Sequence, residues 1–597
     1  MPPSVELLYQ QGYLSALDFH FAQTMGRLGR TDHPLALLAA AAACHFTTLG
    51  HVCIDIHQIG GQPIQSAEGQ SFGNLTWPDA SEWLNILEHS PLITRPAPDS
   101  LQALTPLIMD GTDRLYLARY WLYQVRLARQ ICLRMSFPEM AIHSSAFLDG
   151  MARLFSGQNP LATEGQRQAV QMGVRNHFSV ISGGPGTGKT STVLRILAIL
   201  IEQAYALDMP LPRIQMMAPT GKAAARLKQS LNDRTGLTCS ENVVQVIPDE
   251  ATTIHRALKP DPENPGRFRH DIKNPLDADV VVVDEASMID LALMTHLVEA
   301  IPPHSRVIFL GDQNQLASVE TGAILSDICG AAEKSEPMRR HMIHLTHSFR
   351  FDNQSGIGRL SRAINAGDVK SAMSILDDPA FPDVEWVDLE KGIGIDAMVA
   401  DMTSTHFLPG IQEPDEIRRF DQCNRFRLLC AHRQGEFGAE TLNVRIERRV
   451  KRLLGMDINR EWYVGRPVMI LKNDYLLNLF NGDIGIAMKI DGRGGDSMAV
   501  GFQGTDGAIR SIPASRLPMN QPVFAMTVHK SQGSEFDQVL LLLPDTRSPV
   551  VTRELLYTAI TRAKKKVVIM GSRQVIGQAI STPIDRASGL MDYLFLS

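Results

Sequence analysis

Along the chain the apolar positions change rhythm near residue 161. Before it they recur at helical spacing. From Leu115-Tyr116-Leu117 through Tyr120, Trp121, Leu122, Val125, Leu127 and Ile131 they return every three or four residues, with Arg114, Arg119, Arg126 and Arg129 between them. That pattern predicts a helix with one buried face and a solvated arginine face. The Ala-rich run Leu35–Leu49, broken by His45 and two threonines, predicts a buried helix. Residues 1–138 are therefore read as a helical N-terminal domain. After Leu161, short apolar runs alternate with helical stretches: Ser179–Ile181, Ile214–Ala218, Val280–Val283, Val307–Leu310, Val539–Leu543 and Val567–Met570. Near-continuous apolar strands are buried on both faces, as in a parallel sheet flanked by helices. Two stretches interrupt this texture. Asp261–Pro275 is short, polar and Pro-rich, an insertion of about 255–277. The second, about 465–518, carries the turn signals Asn481-Gly482-Asp483 and Gly492-Arg493-Gly494-Gly495 and predicts a small antiparallel β module.

Length and composition alter this picture little. A chain of 597 residues is too long for one core. Its 44% hydrophobic and 20% charged residues are those of an ordinary globular protein. No apolar run has the length of a membrane span, and MPPSVELLYQQG lacks the basic start and apolar block of a secretory signal, so a cytoplasmic location and no membrane partner are expected. Seven cysteines form no CxxC pair and are read as reduced thiols. The net charge of −6 argues against a general nucleic-acid coat. Any nucleic-acid site must be a local groove, and the case for one rests on motifs.

The first motif is a phosphate site. Ser179-Val180-Ile181-Ser182 leads into Gly183-Gly184-Pro185-Gly186-Thr187-Gly188-Lys189-Thr190-Ser191 and then a helical run. This is GxxxxGKT between a strand and a helix. Glycines let backbone N–H groups approach phosphate, and the helix N-terminus adds positive potential. Lys189 can neutralise the β and γ phosphates of ATP, and the Thr190 hydroxyl can ligate Mg²⁺. Four valines then end on Asp284-Glu285. Asp284 is placed to hold Mg²⁺ and Glu285 to polarise the attacking water. Together these predict nucleoside triphosphate hydrolysis without saying what it drives.

Further blocks follow in order: Thr163–Val170, Ala218–Leu227, Thr253–Arg256, Asp284–Met288, Leu310–Val319, Leu345–Arg350, Ala525–Phe536 and Tyr557–Ala563. They resemble the Q motif and motifs Ia, Ib, II, III, IV, V and VI of superfamily 1 helicases. The forms DEASM and GDxxQLxSV resemble its 5′→3′ branch. Gly50–Asp55 and Leu115–Tyr120 extend the likeness to the RecD family, the alpha subunit of exodeoxyribonuclease V. That resemblance implies an α/β fold of two tandem RecA-like domains, 139–355 and 356–597, with a helical N-terminal partner-binding domain and an SH3-like β-barrel insertion. It implies that Gln166 reads adenine, that Gln315 and Arg350 contact the γ-phosphate or the attacking water, and that Arg562 is an arginine finger. Thr220 and His255 on the first domain, with Thr527 and His529 on the second, become candidate DNA contacts, and the 261–275 insertion a candidate wedge. The implied activity is ATP-dependent 5′→3′ translocation on single-stranded DNA and unwinding of double-stranded DNA. The implied partners are RecB- and RecC-like subunits, one of which cuts DNA, because no nuclease constellation occurs in this chain. The rival readings are a free-standing 5′→3′ helicase of the same branch and a DNA-binding subunit that uses ATP only as a switch. Glu285 and Arg562 together speak against the last.

Overall fold

The computed structural model describes residues 3–65, 71–96, 105–234, 237–264, 266–351, 354–389, 394–474, 476–490, 497–504 and 508–595. Two parallel sheets organise it. The first runs Met342–Leu345, Phe178–Gly183, Arg306–Gly311, Val280–Val283, Ile214–Ala218, Thr252–Thr253, with every neighbouring pair parallel. The second runs Val384–Val387, Ala563–Met570, Phe536–Leu542, Phe426–Cys430, Ala525–Thr527, again all parallel. All six strands expected from the apolar runs are present, lengthened by a residue or more at some ends. The four valines of Val280–Val283 show why the run is continuous. Val281 and Val283 enter a core with helix Leu291–Ala300, and Val280 and Val282 enter a different core with helix Lys189–Ala206. Side chains alternate across a strand, so both faces must be apolar.

The N-terminal region is not all helical. Strands Ile54–Asp55, Arg114–Leu117, Leu107–Met109 and Ile93–Thr94 form a small mixed sheet. They are two to four residues long, too short for a period-2 signal to emerge, and Arg114–Leu117 runs directly into the helix Ala118–Ser136. That helix also belongs to a different core from the strand that leads into it. Its Trp121, Val125, Leu127, Ala128 and Ile131 pack in the core of the first parallel sheet, whereas Leu107, Met109 and Leu115 belong to a separate N-terminal core. Periodicity reports a buried face, not which core it joins.

Of the arginines expected on a solvated face, Arg119 is exposed, but Arg126 and Arg114 are drawn into ion pairs. Arg126 grips Glu299 at the end of helix Leu291–Ala300, with Nε 2.7 Å from Oε1. Arg134 is fully buried and donates to the carbonyls of Val298 (2.9 Å) and Ile301 (2.6 Å), satisfying acceptors that the helix end leaves open. Arg114 pairs with Asp592.

A five-stranded antiparallel sheet, Ile509–Pro513, Met498–Gln503, Ile484–Lys489, Pro467–Ile470, Asn520–Pro522, forms the β module. The Gly492–Gly495 turn lies outside the described residues. The polar insertion after helix Ile254–Leu258 is irregular among its described residues, with a bridge between Pro260 and Phe268. Finally, the segment after helix Arg573–Ser581 crosses back to the first unit. Ala587 O accepts from Val52 N at 2.8 Å, Arg586 Nη1 donates to Glu320 O and Gly322 O at 2.7 and 2.9 Å, and Leu590 and Leu594 enter the first core.

Candidate ATP cleft and the groove beside it

Strand Phe178–Gly183 ends in the phosphate loop, and helix Lys189–Ala206 begins at Gly188 without a side-chain cap. Its first N–H groups are thus left for an anion. Gly186 and Gly188 sit at φ +76° and +82°, a left-handed conformation that L side chains avoid. A Cβ on Gly188 would also collide with Gln166 Nε2, and one on Gly186 with Arg350 Cβ. Lys189 Nζ lies over the loop and donates to Gly183 O (2.5 Å) and Gly184 O (3.2 Å). Gln166 is buried against the same loop: Nε2 donates to Thr187 O at 3.1 Å, and Oε1 accepts from Arg195 Nη1 at 3.1 Å.

Next to this strand but one, Val280–Val283 delivers the two acids. Burial, then the neighbouring Glu285 carboxylate, push the Asp284 carboxyl up, opposed by Lys189 and Arg226. A cation in front of Asp284 would remove that conflict. Glu285 takes φ +52°, a left-handed turn that costs a non-glycine residue about 1–2 kcal/mol and ends the strand.

The second unit closes the cleft. Arg562 is 2% exposed and donates to Thr558 O (3.1 Å) and Ser534 O (3.3 Å). Burial pushes its guanidinium pKa down, against the upward pull of the Glu285 carboxylate. Arg350 lies on the connection between the two sheets. Beside it, Phe349 N donates to Gly186 O at 2.8 Å, and Arg350 Nη2 donates to Glu535 Oε1 at 2.9 Å. Arg350 Nη1 and Gln315 Oε1 are buried without hydrogen-bond partners among the described residues. Such atoms cost about 1–3 kcal/mol each when left unmade; Arg350 Cβ stands against Gly186 of the loop, and Gln315 bonds Asp312, which lies near Gly184. Asp312 ties the units together. Its Oδ2 accepts from Gln315 Nε2 (3.1 Å) and from Tyr557 Oη (2.8 Å), while Leu316 N donates to Thr558 Oγ1 (2.9 Å).

Beside the cleft a groove of about 1110 Å³ runs between helix Gly221–Asn232, the β module and residues 533–536. Lys222, Arg226, Lys228, Arg256, Arg510 and Lys564 line it against the acids Glu250, Asp483 and Glu535, with Phe480 and Phe502 among them. Burial and the nearby guanidinium of Arg427 push the Lys222 ammonium down to about 8, against the pull of Asp483.

Relatives now bear on this geometry. Residues 10–116 match the family described as "RecBCD enzyme subunit RecD, N-terminal domain", 166–321 match "AAA domain", and 522–570 match "UvrD-like helicase C-terminal domain". "RecBCD enzyme subunit RecD" of Mycolicibacterium smegmatis is 36% identical over 580 residues, 97% of each chain, and that of Haemophilus influenzae is 31% identical over 97% of each. The chain belongs to the RecD family. "ATP-dependent RecD2 DNA helicase" of Deinococcus radiodurans is 30% identical over 77% of this chain and 56% of its own.

In this RecD-family chain the ATP-site residues named from the sequence gather in one cleft. The candidate DNA contacts do not gather in the same way. Thr220 caps helix Gly221–Asn232, accepting from Ala223 N at 3.2 Å, and His255 stands in helix Ile254–Leu258 with its ring 5.9 Å from Phe268. They adjoin the groove-lining Gly221 and Arg256. Thr527 ends strand Ala525–Thr527, and His529 is pushed toward neutrality by burial and then by Arg586; neither lines the groove. Sequence reasoning missed Asp312, Tyr557, Arg195, Arg226 and Glu535. Four of these stand inside the motif blocks. What was absent was any sign of which partner each would meet across the cleft.

Proposed function

We propose that this chain is the ATP-driven DNA motor of a RecBCD-type assembly with RecB- and RecC-like subunits, moving 5′→3′ on single-stranded DNA and acting in double-strand break repair, with nuclease activity in a partner. The observation that carries the reading is the join of the two parallel-sheet units beside the phosphate loop, where Tyr557 and Thr558 of one bond Asp312 and Leu316 of the other and the buried Arg562 is held on Thr558 O. Hydrolysis in such a cleft is inseparable from the relative position of the two units. The fold reads as two RecA-like domains, 139–355 and 356–597, an N-terminal partner-binding domain, and an SH3-like module at about 465–518.

In this reading the loop from Gly183 to Ser191 holds the triphosphate, and Thr190 and Asp284 hold Mg²⁺, which supplies charge neutralisation at the phosphates. The chain's own groups do the rest. Lys189 leaves the loop carbonyls for phosphate oxygens, Glu285 orients the attacking water, and Gln315 and Arg350 turn their unpartnered atoms to the γ-phosphate. Arg562 stabilises the charge that develops in transfer, with a planar fork that suits phosphate oxygens. Gln166 reads adenine with the donor and acceptor capacity that Thr187 O and Arg195 leave to its amide. The groove carries single-stranded DNA past Phe480 and Phe502, with Thr220 and His255 beside it, and Thr527 and His529, which do not line it, contact the strand beyond. Cationic lining with aromatic faces suits a strand held without sequence preference. The work is cytoplasmic, at the nucleoid.

The test is unwinding, with ATP and Mg²⁺, of matched duplexes bearing either a 5′ or a 3′ single-stranded tail. Opening of the 5′-tailed duplex alone is expected. Opening of the 3′-tailed one alone overturns the polarity, and DNA-stimulated hydrolysis without unwinding by the lone chain shows that the partner subunits are required.

A further inference from the structure

The carboxylate of Glu535 stands at the seam between cleft and groove, and three cations converge on it. Arg350 Nη2 and Arg226 both donate to Oε1, the first at 2.9 Å, and Lys564 Nζ lies 3.9 Å from Oε2. Burial would push this carboxyl up; the Arg226 and Arg350 guanidiniums outweigh it and hold it at about 2. The carboxylate and its two arginines come from three places: Arg226 from helix Gly221–Asn232 of the first unit, Arg350 from the connection, Glu535 from the lip of the second unit just before strand Phe536–Leu542. Arg226 faces both ways. It lines the groove and also shares Glu535 Oε1 with Arg350, whose Cβ stands against Gly186 of the phosphate loop.

We propose that Arg226 is a positioning residue that couples the groove to the ATP cleft, because it shares one carboxylate with Arg350. A phosphodiester in the groove and a triphosphate in the cleft then draw on cations held by the same Glu535. Occupying one site changes how firmly the other's arginine is held. The coupling is reciprocal, as any linkage between two binding sites must be. The inference rests on the reading of the groove as the DNA track.

The experiment measures the dissociation constant of a fluorescent oligo(dT) for the full-length chain, with and without the β,γ-imido analogue of ATP. In the wild type the two constants should differ by a factor within about 5–150. Arg226→Gln should bring that ratio to within about twofold of one, and Arg226→Lys should restore most of it, since the shared charge is kept. A merely structural role would lower affinity in both states and leave the ratio alone. Lys228→Gln, in the groove but paired with Glu250, should weaken binding with an unchanged ratio. Glu535→Gln breaks the same pair from the other side and should also collapse the ratio, which keeps the test decisive if Arg226→Gln does not fold. A wild-type ratio of one, a ratio unchanged in both Arg226→Gln and Glu535→Gln, or a failure of Arg226→Lys to restore it overturns the inference while the groove reading survives. If Lys228→Gln and Arg226→Gln leave oligo(dT) affinity untouched, the groove reading itself fails, and the inference with it.

Discussion

The cleft and the groove lie side by side and are built in opposite ways. The cleft is made at the ends of buried parallel strands. Each side chain there is fixed by a backbone that has no alternative path, and several polar atoms stay buried and unpaired. The groove is made of long, flexible cations on a helix face, a loop lip and a separate antiparallel module, most of them already paired or solvated. One is a preorganised socket and the other an electrostatic trough. A socket tolerates no change at its walls, whereas a trough should lose affinity in small, additive steps.

Four measurements sharpen or break that contrast. The largest effect is expected at the finger: Arg562→Ala should lower ATP turnover by about 10³-fold or more while oligo(dT) affinity stays within a factor of about two. Equal losses in both would mean that cleft and groove are one site. Gly188→Ala should come next. With φ at +82° and Gln166 Nε2 in the way of a Cβ, nucleotide affinity should fall by about tenfold or more, from roughly 1–2 kcal/mol of backbone strain plus the displaced amide; isothermal titration with ADP reads it. A normal affinity would mean that the loop is soft. In the groove, Arg510→Gln should weaken oligo(dT) binding modestly and reduce the slope of log affinity against log salt by about one. An unchanged slope removes Arg510 from the track. The smallest effect is one of pH. Lys222 titrates near 8 in the free groove, and a bound phosphate raises that value. Its contribution to affinity is therefore full below about pH 8 and fades as pH rises through the phosphate-raised value. The neighbours that set it are Arg427, Arg226 and Asp483. Lys222→Arg should flatten the profile between pH 7 and 9; a profile identical to the wild type assigns the titration elsewhere.

The same contrast explains what could be read in the sequence. Strand Val280–Val283 was legible because burial on both faces demands an unbroken apolar run, and the phosphate loop because its glycines are required by backbone geometry. Strand Phe426–Cys430 was not legible. It is wholly buried but carries Arg427 in its middle, whose guanidinium donates to Val523 O at 2.5 Å and Cys423 O at 3.2 Å and lies over the Phe536 ring. A charge in a core strand hides the pattern when its partners come from distant segments. The solvated arginine face expected on helix Ala118–Ser136 holds at the exposed Arg119 but fails at Arg126 for a related reason: it is spaced like a surface residue, yet meets Glu299 on a helix far along the chain. The groove was only half legible. Lys222, Arg226, Arg256 and Glu535 stand inside motif blocks, but Phe480, Phe502 and Arg510 share no period or motif with them and become their neighbours only when the β module docks on helix Gly221–Asn232, with Phe480 pressed against Gly221.

The returning segment that places Leu590 and Leu594 in the first core has a consequence for biosynthesis. The strands of the first sheet leave the ribosome long before those leucines do, with the whole second unit translated in between. Helices Ala118–Ser136 and Ile324–Lys334 must therefore wait with an apolar surface uncovered, and exposed surface of that kind invites aggregation. Folding of the nascent chain cannot finish unit by unit in order of synthesis; the first unit is completed only by residues that follow the second.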